Sequence, residues 1–161
     1  MKTSEMIDIV RAAWSAVPAP PKDDMKILHW EGGEDAVLAF TGVAPMDVDV
    51  ESIGFDMTTP LLDLPPRAAA AYLGTFLISL LQGLDFQERV GIFDDFLSRA
   101  HTLQCLTQPK FWEEVIRKCS PPECQEAVVK VSRFLASKHD DLPLDQEQVD
   151  TLVALANRLD E

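Results

Sequence analysis

The run AAAAYLGTFLISLLQGL, Ala68–Leu84, holds 17 residues without a charge, and its reading decides the fold. A bilayer-spanning helix needs about 20 apolar residues, so the run is slightly short for that role. Its polar members, Tyr72, Thr75, Ser79 and Gln82, fall within about 80° of one another on a helix turning 100° per residue. A helix apolar on its remaining sides, with one small or polar stripe, suits the middle of a soluble bundle rather than a membrane. Pro66 is placed to open this helix, since a first-turn proline forfeits no hydrogen bond. Gly83 is placed to end it. The expectation is a central helix over about 66–82, preceded by a turn-rich connector from Thr58 to Pro66.

Outward from this segment, helix patterns dominate. Met6, Ile7, Val10, Ala13, Trp14 and Val17 recur at helical spacing, with Thr3 or Ser4 as cap and Pro18, Pro20 and Pro21 as the stop. A short helix is expected from Glu34 to Phe40, with Gly42 just beyond it. In PMDVDVESIGF, Val48 and Val50 alternate with Asp47, Asp49 and Glu51. That is a strand pattern, but a helix opened by Pro45 fits as well, and no partner strand is evident, so helix is preferred over 46–53. Asp85 with Glu88 forms a capping-box pattern for a helix from Phe86 to about Arg99, with Phe86, Val90, Phe93 and Leu97 inward. Thr107-Gln-Pro109 starts another, with Phe111, Trp112, Val115 and Ile116 on one face. Ser120-Pro-Pro-Glu123 reads as a capping box launching Pro121–Lys138, and Asp145 with Gln148 caps the last helix. The fold expected is a single all-α domain over 1–161, an irregular bundle of six or seven helices around the central apolar one. Trp14, Trp30 and Trp112 fit core or interface equally well.

Charge excludes some functions. The chain carries 14 Lys and Arg against 27 Asp and Glu, a net of −13. Residues 1–66 hold 4 basic and 12 acidic side chains, so the front part is the more negative. Such a surface repels phosphate, which argues against nucleic-acid binding. It favours a basic protein partner, with Asp47, Asp49 and Glu51 as the candidate acidic patch. The three cysteines, Cys105, Cys119 and Cys124, are too few for a disulfide scaffold and suit a reducing cytoplasm. Glu5, Asp8 and Arg11 interrupt any signal-peptide core.

Residue spacing admits three chemistries: a zinc set, a calcium loop and an activated thiol. His101 and Cys105 share a helical face, and with Cys119 and Cys124 make a conceivable zinc set. The spacing lacks a tight knuckle, so packing as small apolar side chains is preferred. Asp47-x-Asp49-x-Glu51 resembles the opening of a calcium-binding loop, but Ser52 and Thr58 stand where Gly and Glu are required. His101 could activate the Cys105 thiol, yet no third orienting group or oxyanion hole is marked. No phosphate loop, dinucleotide fingerprint, nucleophile elbow or zinc-protease motif occurs. No catalytic residue, metal or cofactor is therefore expected. The favoured reading is a non-catalytic acidic interaction module, of adaptor or immunity type. The alternative is a small enzyme or ligand-binding protein whose groove beside the central helix is lined by Tyr72, Thr75, Ser79 and Gln82.

The segments AAWSAVPAPP (Ala12–Pro21), AFTGV (Ala39–Val43), LPPRAAAAYLGTFLISLL (Leu64–Leu81) and LTQPKFWEEVIRKCSPPECQEAVVKVSRFLASK (Leu106–Lys138) resemble, in order and spacing, an uncharacterised family of small, mainly bacterial helical proteins. Tyr72-Leu73-Gly74-Thr75 stands where that pattern has Tyr-Leu-Pro-Ala, and Ala44-Pro45-Met46 replaces a Trp-containing segment. The family is a domain of unknown function. The resemblance implies a helical fold and transfers no site residue.

Overall fold

A computed structural model describes residues 1–25, 40–48, 50, 60–95 and 99–161. Within them the chain is all-α, an irregular bundle around a long central helix, and no strand occurs among the described residues. The helices are α1 (Thr3–Trp14), α2 (Pro60–Asp63), α3 (Pro66–Val90), α4 (Arg99–Leu106), α5 (Pro109–Phe111), α6 (Pro122–Ser137) and α7 (Gln146–Asp160). Helix α5 runs directly into a π-helical turn, Trp112–Arg117. Tighter single turns occur at Lys22–Met25, Pro45–Asp47 and His139–Asp141. The expected helix at 34–40 lies outside the described residues except for Phe40, as do Trp30 and, within 46–53, residues 49 and 51–53.

Helix α3 is the hub. Helix α1 packs along it and α4 folds back on it, while α1 also meets α6, which pairs with α7. Leu73, Leu77, Leu80, Leu81 and Leu84 are fully buried, each worth about 1.5–3 kcal/mol relative to exposure. By length and composition α3 could cross a bilayer, but 72% of its most apolar window is buried inside the protein. The tight seam is with α1. Met6, Val10 and Trp14 face inward at four-residue spacing, and the Trp14 ring sits against Gly74, where a β-carbon would meet ring atoms within 3 Å. Trp14 also donates its indole N–H to Ala70 O at 3.3 Å. Trp112 is likewise core, donating to Leu106 O at 2.7 Å.

Helix α3 does not stop at Gly83 but continues to Val90. Gly83 keeps helical backbone geometry and is needed for space, because a β-carbon there would sit 2.6 Å from Arg99 Cδ. The true stop is Gly91, whose φ of +85° is the left-handed end that glycine permits, with its N–H on Gln87 O at 2.8 Å. Asp85 therefore caps nothing; it pairs with Arg89 one turn on. The helix expected over 86–99 is replaced by the end of α3, the connecting residues 91–95 and the start of α4.

Two other caps differ from expectation. The first turn of α1 is closed by the Glu5 carboxylate accepting the Lys2 N–H at 2.7 Å, and Thr3 instead donates its hydroxyl to Glu88. Ser120 reaches back to Val115 O, and Pro121 and Pro122 start α6 without a side-chain cap. The cap of α7 is as expected: Gln148 N–H to Asp145 Oδ1 at 2.8 Å, and Asp145 N–H to Gln148 Oε1 at 2.9 Å.

Candidate functional site: one face of the central helix

Tyr72, Thr75, Ser79 and Gln82 do form one stripe on α3, but its members have different fates. Tyr72 is buried, and its phenol proton lies between Phe40 O at 2.6 Å and Val43 O at 2.9 Å. The turn that presents those carbonyls is closed by Val43 N–H on Phe40 O and bent at Gly42, with φ +75°. Phe40 packs its ring 4.8 Å from that of Tyr72, centroid to centroid. Burial pushes the Tyr72 phenol up to about 12. Thr75 donates its hydroxyl to Pro45 O. Ser79 accepts from Arg99 Nε through both its carbonyl, at 2.7 Å, and its hydroxyl, at 3.3 Å. Gln82 is exposed. The buried hydroxyls thus hold connecting segments against α3, as buried polar groups must find partners.

Arg99 is the residue that spacing did not reveal. It is buried, fills the space above Gly83 and reaches Asp94 O and the Asp94 carboxylate. Burial lowers the pKa of its guanidinium, against the opposing pull of Asp94 and Asp95. Its only sequence signal was the bare Gly83 one helical turn from Ser79. Past Arg99 the stripe runs on through Phe86 and Val90, and these project into solvent rather than inward. The step of four from Phe86 to Val90 was readable from sequence, but only as part of a separate inward-facing helix, with Gln82 left on the central one.

The thiol and imidazole candidates are drawn into packing. Cys105 lies 3.4 Å from His101 Nε2 yet has no exposed surface, and burial pushes its thiol up to about 12. Burial likewise holds the His101 imidazole below its ordinary value, against Asp63 and Asp95. A nucleophilic cysteine acts as thiolate, and this environment opposes that form. Cys119 and Cys124 are unlinked and diverge, one donating to Glu114 O and the other to Ala13 O. Among the described residues no group of three or more His, Cys, Asp or Glu gathers to hold a metal.

Of the acidic patch, Asp47 is exposed at the end of the Pro45–Asp47 turn, beside the carbonyl that Thr75 reaches; Asp49 and Glu51 lie outside the described residues. A second acidic stretch, 140–150, carries Asp140, Asp141, Asp145, Glu147 and Asp150 with no Lys or Arg. Seven Lys and Arg side chains elsewhere are already engaged by carboxylates.

No protein-family model matches the chain, and neither a curated protein nor a solved structure matches it.

Proposed function

We propose that this chain is a non-catalytic, acidic protein-interaction module of the cytoplasm, of adaptor or immunity type, whose partner is a basic protein. The observation that carries the reading is the excess of carboxylates, a net of −13 in 161 residues, with Asp47, Asp95, Asp140, Asp145, Glu147 and Asp150 among those at the surface. A field of that sign concentrates cationic surfaces and raises their association rate. Two features of the interior agree with it. The hydroxyls of the central stripe are engaged in holding the fold, and Cys105 and Cys124 have thiols pushed up to about 12 and 11 by burial. Retention of three free thiols suits a reducing compartment.

The test is capture of partners from lysate by the immobilised chain at about 0.1 M and about 1 M salt, between which the screening length falls from roughly 10 Å to 3 Å. The expected result is a basic protein held at low salt and released at high salt. Capture of no basic protein at low salt, or retention indifferent to salt, overturns the reading.

A further inference from the structure

His139 follows the end of α6, and both of its ring nitrogens face oxygen atoms that can only accept. Nδ1 lies 2.9 Å from Ala136 O, and Nε2 lies 3.3 Å from a carboxylate oxygen of Asp140. Ala136 O is among the last four carbonyls of α6, the ones a helix end leaves without an amide of its own. A neutral imidazole carries one N–H and one bare lone pair, so it satisfies one of these neighbours and opposes the other. The doubly protonated imidazolium donates to both. Its charge also sits at the negative end of the α6 dipole.

The other charged groups of this corner come from three elements. Lys138 adjoins the ring, but its ammonium lies 3.6 Å from Glu88 of α3 and over the Phe134 ring. Asp141 belongs to the same turn, and Asp145, Glu147 and Asp150 follow at the start of α7. No Lys or Arg occurs from 139 to 150. The His139 side chain is 40% exposed and that of Asp140 94%, so water keeps their tie modest and Asp140 can swing away from it.

We propose that His139 is a pH-sensitive latch on the turn between α6 and α7, closed as the imidazolium and opened when the ring loses a proton. Histidine is the side chain whose charge ordinarily changes between pH 5 and 8. In acid the ring clamps Asp140 to the last turn of α6. As pH rises the proton on Nε2 is the one given up, because Nδ1 keeps the shorter bond, to Ala136 O. The Nε2 lone pair then faces the Asp140 carboxylate, which turns out to water. The latch therefore adds stability in acid and loses it as pH rises. Its opening leaves Asp140, Asp141, Asp145, Glu147 and Asp150 as a run of carboxylates with no cation among them.

A double-mutant cycle of His139→Gln and Asp140→Asn, read by urea unfolding at about pH 5.5 and about pH 8, isolates the pair. The other two histidines, His29 and His101, are present in every member of the cycle and cancel. The two side chains should be coupled about two- to fivefold in the folding constant at the lower pH and uncoupled at the higher. Long-range proton–nitrogen NMR of the wild-type ring gives a second reading. It should find protons on both His139 nitrogens in acid and on Nδ1 alone at the higher pH. Coupling of equal size at both pH values, or none at the lower, overturns the latch. A neutral ring that keeps its proton on Nε2 overturns it as well.

Discussion

Replacing Gly74 by alanine sets two known effects against each other. At an open site inside a helix, Gly→Ala gains about 1 kcal/mol from backbone entropy and propensity. Gly74 is not open: the new β-carbon would lie 2.5 Å from Trp14 Cγ and inside 3 Å of two more ring atoms. Trp14 cannot easily yield, since it has no exposed surface and its indole N–H is held by Ala70 O on the same helix. Overpacking of this kind costs about 1–3 kcal/mol, and a contact this short belongs at or above the upper end. The net expectation is a loss of about 2 kcal/mol or more. For a chain of this size, that lowers Tm by at least about 4–8 °C. Far-UV circular dichroism melts measure it. The Trp14→Leu background supplies the control: it costs about 3 kcal/mol itself, but there Gly74→Ala should become neutral or stabilising. The two substitutions are then coupled rather than additive. A Gly74→Ala variant that melts higher than wild type, or that shifts Tm equally in both backgrounds, would refute the α1–α3 seam.

Three further expectations follow the same logic. Tyr72 is the sole tyrosine, so its ionisation can be read directly by absorbance. With a native pKa of about 12 against 10.0 for the ordinary phenol, its contribution to stability is complete below pH 10 and is lost as pH rises from 10 to 12; phenolate appearing near pH 10 before unfolding would contradict the buried bonds. Arg99→Ala removes hydrogen bonds to Ser79 and Asp94 O and should destabilise by about 2–4 kcal/mol in urea melts, whereas a change under 0.5 kcal/mol would mean that Arg99 does not hold the end of α3. Under native conditions at pH 8 a thiol reagent should modify Cys119 first, with Cys105 and Cys124 reacting only at the rate of unfolding; prompt modification of all three would show that the two thiols are not buried.

The central helix was legible because one signal, an uncharged run with a single polar stripe, has few structural uses. The last helix was legible because Asp145 and Gln148 cap it in the local way their spacing implies. Gly83 misled because glycine serves two purposes that sequence does not distinguish, a left-handed turn and a close approach. Here the first belongs to Gly91 and the second to Gly83 and Gly74. Ser120 and Asp85 misled because a capping pattern competes with other partners, Val115 O and Arg89, that only the fold brings near. The same holds for the candidate site. Periodicity located the stripe, but which parts are covered depends on Phe40 and Arg99, which reach α3 from distant or adjoining segments. The exposed pair Phe86 and Val90 was legible as apolar and helical, and misread in direction for want of the continuous helix.

The seam between Trp14 and Gly74, and the contact of Cys124 Sγ with Ala13 O, join α1 to segments made much later. On a ribosome adding about 5–20 residues per second, the 76 residues from Trp14 to Val90, the end of α3, take roughly 4–15 s. For that interval the nascent α1 has an oily side and no resting place on the central helix. Synthesis of α1 thus runs ahead of its packing partners, and the yield of the chain in a cell should respond to whatever shelters that helix while it waits.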